Sequence, residues 1–307
     1  MNTLTDHLGE YLALRRALGY KLERVELLLG QFIVFLADTD TPNTFTIGDA
    51  IRWATEPGGS GWWHRQRLSA VRGFASYLHA LDPSTPVPPT GLLHGTGQRA
   101  VPYLYSEQDI CALIDAASIL RQPFRTMTYQ TLIGLLAVTG MRTGEAIRLD
   151  VDDVDLPGGV VTIRHSKFDK SRHVPLHPTV TEALGGYLRQ RDTCPVTPSS
   201  PAVFLSPAGT RLIACNVGST FRILVTQAGL RPRAGRCRPR PHDLRHGFAV
   251  ATLLDAYRSE ADVPATMAVL STYLGHVDPK ATYWYLTAAP ELLTLAAQRL
   301  EQHGTRP

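Results

Sequence analysis

The chain has 307 residues, 44% of them apolar and 19% charged, which suits one large or two medium globular domains and excludes a disordered or fibrous polymer. No apolar run approaches the roughly 20 residues needed to cross a bilayer, and the start MNTLTDHLGEYLALRR lacks the features of a signal peptide, so a cytoplasmic protein with no membrane partner is expected. The net charge of +4 is uneven: residues 1–100 hold 9 basic and 9 acidic side chains, and residues 101–307 hold 22 and 18.

The first hundred residues read as a small helical bundle. LGEYLALRRALG and VELLLGQFIVFLAD carry apolar residues at three- and four-residue intervals, FTIGDAIRWATE begins a third helix, and HRQRLSAVRGFASYLHAL forms a fourth. On the fourth, Leu68, Val71, Phe74 and Leu78 supply a core face, while Arg65 and Arg72 share another face and join Arg67 and His64 in a local basic cluster. In DPSTPVPPTGLLHGTGQRAVPYL, Pro and Gly cluster without period, which predicts an interdomain linker. The expected boundaries are a first domain at 1–84, a linker at 85–104 and a second domain at 105–307.

Ser106 is placed to cap a helix over CALIDAA, and YQTLIGLLAVTG and TGEAIRLDVDDV predict two more. The period switches to two in GVVTIRHSKFDKSRHVPL, a β-hairpin with a polar turn. Helices then return in VTEALGGYLRQR, NVGSTFRILVTQAG, HDLRHGFAVATLLDAY and PELLTLAAQRLEQ. The last has an apolar stripe that serves equally for docking on a neighbouring copy or on its own domain. The fold class is mainly α with one small β-element. Cys111, Cys194, Cys215 and Cys237 are scattered without a C-x-x-C pair, which argues against structural zinc and disulfides alike.

Several polar positions stand out. Arg142 follows an apolar helix and a glycine, Lys167 lies at the hairpin tip, and His242 and Arg245 share a helix face. His276 follows Leu-Gly, and ATYWYL offers Tyr283 and Tyr285. Taken singly each reads as structural or solvated. The run RPRAGRCRPRPHDLR carries six arginines against one aspartate, spaced by prolines into an extended strip suited to phosphates.

Together, the ordered set Arg, Lys, His-x-x-Arg, His, Tyr closely resembles the tyrosine recombinase or phage integrase family. TGMRTGEAIRL is similar to its first arginine box, with Glu145 in a supporting position, and SKFDKSRHVPL to its lysine hairpin. HDLRHGFA matches its His-x-x-Arg box, YLGH and TYWY its closing box, and RLSAVRGFASYL the last helix of its core-binding domain. The resemblance implies a helical, SAM-like core-binding domain and an integrase-type catalytic domain acting on double-stranded DNA, as a homotetramer on paired sites. It implies catalytic roles for Arg142, Lys167, His242, Arg245, His276 and Tyr285, with no cofactor and no metal. DNA contacts are expected from Arg65, Arg67, Arg72, Arg236, Arg238 and Arg240.

Tyr283 and Tyr285 lie roughly 200° apart on a helix, so only one faces a phosphate. The family's nucleophile falls nine residues after the Leu-Gly-His histidine and three after a threonine, which selects Tyr285 and leaves Tyr283 for packing. Other readings are weaker. His242 and His246 have the spacing of zinc ligands, but no third ligand follows. A silent DNA-binding regulator of the same fold would have lost an active-site side chain, and none is lost. Strand-nicking tyrosine topoisomerases share the chemistry but not the integrase-like first domain. The sequence departs from the family pattern in a longer stretch before YLGH, YRSEADVPATMAVLST, where a loop is expected.

Overall fold

The computed structural model describes residues 3–38, 43–93, 101–164, 171–194, 197–233, 237–276, 278, 282–284 and 289–304. The chain divides into two units, Met1–Arg99 and Ala100–Pro307.

The first unit holds α1 (Leu4–Ala17), α2 (Glu23–Ala37), α3 (Ile47–Thr55) and α4 (Gly61–Leu81). Thr3 and Thr46 each accept from the backbone of an aspartate three residues on, and Asp6 and Asp49 return the bond, so two helices start in reciprocal caps. The expected core face of α4, Leu68, Val71, Phe74 and Leu78, packs with Leu29, Phe32 and Leu36 of α2 and Trp53 of α3. Each such side chain contributes about 1.5–3 kcal/mol through burial. Val87, Leu92 and Leu93, within the segment expected as linker, pack on this same core.

Two of the arginines expected at DNA are committed elsewhere in this unit. Arg67 is only 6% exposed; its Nη2 donates to the Trp53 carbonyl at 2.7 Å, and its guanidinium lies 3.7 Å from the Trp53 ring centroid. A cation so stacked and bonded supports the core. Arg72 donates to the Pro88 and Pro89 carbonyls at 2.7 and 2.8 Å, tying α4 to the proline-rich segment.

In the second unit, Ser106 and Asp109 form a capping box that opens α5 (Glu107–Ala116). It is followed by α6 (Pro123–Thr139) and α7 (Thr143–Arg148). Strands β1 (Val154–Asp155), β2 (Val160–Ile163) and β3 (Arg172–Pro175) form an antiparallel sheet in that order, with Val161 opposite Val174 and Ile163 opposite Arg172. The hairpin is where periodicity places it, and β1 adds an edge too short to announce itself. The remaining helices are α8 (Pro178–Thr193), α9 (Ala214–Gln227), α10 (Pro241–Arg258), α11 (Val263–Leu274) and α12 (Pro290–Gly304). Apolar α6 lies at the centre, against α5, α8 and α10.

Helix α11 occupies the stretch expected to be a loop. Asp262 accepts from the Ala265 N–H, Pro264 sits in the first turn, and Val263, Met267, Leu270 and Leu274 are buried at helical spacing. Helix α12 packs on α10 of its own unit, with Leu292 buried and Arg299 donating to the Ala261 carbonyl. Among the described residues no helix is long and apolar enough to cross a membrane.

Replacing Arg67 with alanine is expected to destabilise the first unit by about 2 kcal/mol through the emptied space over Trp53. Urea denaturation followed by tryptophan fluorescence reads this directly, since Trp53, Trp62 and Trp63 lie in that unit. An unchanged midpoint together with weakened DNA binding would restore Arg67 to a DNA-contacting face.

Candidate active site

Helix α6 ends in Gly140, whose φ of +60° is left-handed, and a Cβ there would stand 2.5 Å from Phe248 Cδ1. Only glycine meets both demands, and the turn it allows delivers Arg142 to the head of α7. Glu145 then accepts from the Arg142 backbone N–H at 2.8 Å and from Arg142 Nη1 at 2.7 Å. One carboxylate therefore fixes both the backbone and the guanidinium of this arginine.

The start of α10 is equally constrained. Asp243, fully buried, receives Arg240 Nε and Nη2 at 3.0 and 2.7 Å and the Arg240 backbone N–H at 3.1 Å. Tyr105 Oη donates to the Arg240 carbonyl at 3.0 Å. One turn on, Arg245 is 1% exposed. Its Nη1 donates to the Gly140 carbonyl at 2.9 Å, and its Nη2 to the Leu274 carbonyl at 2.6 Å and to His276 Nε2 at 3.0 Å. The ends of α6 and α11 thus hold this cation with carbonyls that helix geometry leaves unfilled.

A guanidinium only donates, so His276 Nε2 accepts; its Nδ1 then carries the proton and donates to Thr282 Oγ1 at 2.7 Å. Burial and the charges of Arg245, Arg142 and Arg172 hold the imidazole down to about 4, so it is neutral at physiological pH. Burial alone would raise the Glu145 carboxyl, but hydrogen bonds from Arg172 and Arg142 outweigh it and bring it to about 2. His242 is exposed on the first turn of α10, its ring edge-on to buried His246 at 4.7 Å, and His246 lies 5.0 Å from Trp284. The two histidines whose spacing alone would suit zinc meet edge to face here. Arg142, Arg245 and His276 converge on the Leu274–Gly275–His276 turn, with Arg142 Nη2 3.5 Å from the Gly275 carbonyl.

The Phage integrase family model matches residues 104–291, a span that runs from before Arg142 to beyond Tyr285. The chain belongs to the phage integrase family. It is 44% identical to y4rB of Sinorhizobium fredii (strain NBRC 101917 / NGR234), a protein named by inference as an integrase/recombinase, over 98% of each chain. It is 32% identical to the tyrosine recombinase XerC of Azotobacter vinelandii (strain DJ / ATCC BAA-1303), over 71% of this chain and 67% of that one. Its fold is that of the Tn1549 transposon integrase, solved in complex with transposon right end DNA, with a TM-score of 0.63 at 17% identity over 98% of this chain and 100% of the other.

Within this integrase the expected site residues fare differently. Arg142, Glu145, Arg245 and His276 form one network, and His242 lies on the first turn of α10 against His246. Lys167, Arg236 and Tyr285 lie outside the described residues. Tyr283 does not pack as expected: it is 57% exposed, while its neighbour Thr282 is buried against His276. Arg65 is half-buried on α4 and Arg238 is exposed. The arginine-rich strip is anchored to protein at two points. Arg240 grips Asp243, and Arg233 donates to the Leu104 carbonyl and Asp109, each at 3.1 Å, over the Tyr103 ring. Sequence reasoning overlooked Arg172, which reaches Glu145 from β3, and Thr282, the partner of His276.

Unfolded His276 titrates near 6.5 and the folded group near 4, so between these values the unfolded chain binds more protons and stability falls as pH drops. Substituting His276→Asn should flatten the loss of stability between pH 7 and pH 5 relative to wild type, read from urea midpoints at the two values. Parallel pH dependence in both proteins would show that the imidazole is not held neutral.

Proposed function

We propose that this integrase is a site-specific recombinase that cuts and rejoins duplex DNA through a 3′-phosphotyrosine at Tyr285, serving integration, transposition or dimer resolution. The observation that carries the reading is the convergence of Arg142, Arg245 and His276 on one turn. A phosphodiester is anionic, and attack on it adds charge to its nonbridging oxygens. Two guanidiniums already fixed by backbone and carboxylate oxygens stabilise that charge without reorganising. The count of nine residues after the Leu-Gly-His histidine supports Tyr285 over Tyr283 as nucleophile, and Tyr283 points to solvent.

In this scheme the Tyr285 phenol oxygen bonds to phosphorus, and its proton passes to His242 as the base. The bond from phosphorus to the 5′ oxygen breaks, and Lys167 gives that oxygen a proton. Rejoining runs the same steps backwards with a 5′ hydroxyl as nucleophile, so the bond energy is kept and no ATP is needed. The 1–84 domain and the 105–307 domain both bind the duplex, and a homotetramer on two DNA sites exchanges strands in pairs. Family membership and relatives that bear recombinase names support this assignment.

Tyr285→Phe should abolish covalent attachment to a nicked suicide duplex while leaving duplex affinity within about twofold. A gel-shifted adduct that survives in Tyr285→Phe and vanishes in Tyr283→Phe would reassign the nucleophile. Because arginines supply the charge that metal ions supply in many nucleases, adduct formation should also continue in EDTA. Loss on chelation with recovery on adding magnesium or zinc would overturn that chemistry.

A further inference from the structure

Strand β3 places Arg172 where its alternation calls for an apolar residue. Opposite residues of an antiparallel pair share a face, and Arg172 pairs with buried Ile163 just as Val174 pairs with buried Val161. The Arg172 side chain is accordingly only 12% exposed. Its Nη1 and Nη2 donate to the two Glu145 oxygens at 3.1 and 2.8 Å, and its Nε donates to the Tyr273 carbonyl at 2.8 Å. The guanidinium also lies along the backbone of Gly275, where a Cβ would stand 2.9 Å from Arg172 Nη1. It therefore touches two of the three parts that build the arginine–histidine site: the carboxylate that holds Arg142, and the turn that presents His276.

We propose that Arg172 is a positioning residue for strand cleavage: it clamps Glu145 in the orientation that fixes Arg142, and it ties strand β3 to the Gly275–His276 turn. The proposal deepens the recombinase reading and rests on it. Glu145 is the hinge of the argument, because its two oxygens are shared between Arg172 and Arg142. With both arginines in place the carboxylate stays charged and cannot rotate. Without Arg172 it keeps its burial and loses its fork, so its carboxyl rises, it is free to rotate, and it no longer holds Arg142 Nη1 in one direction. Arg142 would still reach DNA, but no longer in one orientation.

The ionisable groups that face Glu145 are Arg142 from its own turn, Arg172 from β3, and His276 from the end of α11, with Arg245 of α10 and Tyr273 behind them. Their charges fix the sign of the test. Arg172→Gln should raise the Glu145 carboxyl by about two units or more. Cleavage of a suicide duplex at pH 7 should fall about tenfold or more at saturating DNA, with duplex affinity changed less than about threefold. The rate should gain an acid limb absent from wild type and from the Arg172→Gln/Glu145→Gln double variant, because the limb reports protonation of Glu145. Arg172→Lys keeps the charge but not the two-pronged grip, so it should hold the carboxyl low and still cleave slowly.

The Glu145 titration, followed by ¹³C NMR of its carboxyl carbon in the DNA-free protein, tests the clamp without any catalysis. Unchanged Glu145 titration in Arg172→Gln overturns the proposal whatever the activity. So does a wild-type cleavage rate in that variant. A wild-type protein that never forms an adduct sinks the recombinase reading instead, and in that case a shifted Glu145 titration would show the clamp to be real but idle. Thermal melts of both Arg172 variants separate a folding defect from a positioning one, since an unfolded variant loses DNA affinity together with cleavage.

Discussion

Arg245 is a nearly fully buried cation, and the catalytic unit is organised around satisfying it. An unsolvated guanidinium is costly unless its donors are met. Gly140 and Leu274 meet them with carbonyls from the ends of two helices that are far apart in sequence. Each end carries a partial negative charge and an unfilled acceptor, so it is complementary to a guanidinium in both sign and geometry. The two helices can end there because Gly140 and Gly275 adopt left-handed turns, at φ of +60° and +65°. The residues leaving those turns are Arg142 and His276. Holding one arginine therefore determines where the other two functional groups emerge.

A second constraint follows from charge. Among the described residues the site brings three guanidiniums, those of Arg142, Arg172 and Arg245, against the single carboxylate of Glu145, with His276 neutral. Cations placed this close would repel one another and splay unless something held them. Glu145 restrains two of them, and the helix ends restrain the third. The arrangement retains an excess of positive charge facing a turn that an anion can approach, which is the electrostatic preparation a phosphodiester requires. Neutrality of His276 belongs to the same balance: another cation here would cost more than the hydrogen bond it now accepts.

Most helices were legible because their apolar residues recur at the helical period, and α4 buries the very residues that periodicity names. Helix α11 escaped notice because Ala, Ser and Thr dilute the stripe of Val263, Met267, Leu270 and Leu274, leaving its Asp262 cap and early proline as the clearer signals. The contact of Arg142 with Glu145 was within reach of sequence because the two lie three residues apart at the head of one helix. Long-range partnerships were not: nothing near Glu145 in sequence points to Arg172, and only the strand register brings them together. The burial of Arg67 was hidden for the opposite reason. This residue belongs to a run of basic residues on α4 that reads as one cluster, yet a helix turns each successive residue by about 100°, and this one faces Trp53.

The same distinction applies to the arginine-rich strip. Composition alone makes it a surface for phosphates, but Arg240 and Arg233 have structural partners that a free polybasic segment would lack. Arg240 with Asp243 sets the first turn of α10, which carries His242 and leads into Arg245. Arg233 with Leu104, Asp109 and Tyr103 secures the segment that leads into α5. Tyr105 then joins the two, since its hydroxyl holds the Arg240 carbonyl. A phosphate that recruits Arg240 must compete with a buried carboxylate held by a two-pronged bond, so exposed Arg238 is the more available cation. The strip is better understood as the brace of the His-x-x-Arg helix, with DNA contact as a role for the arginines that the brace leaves exposed.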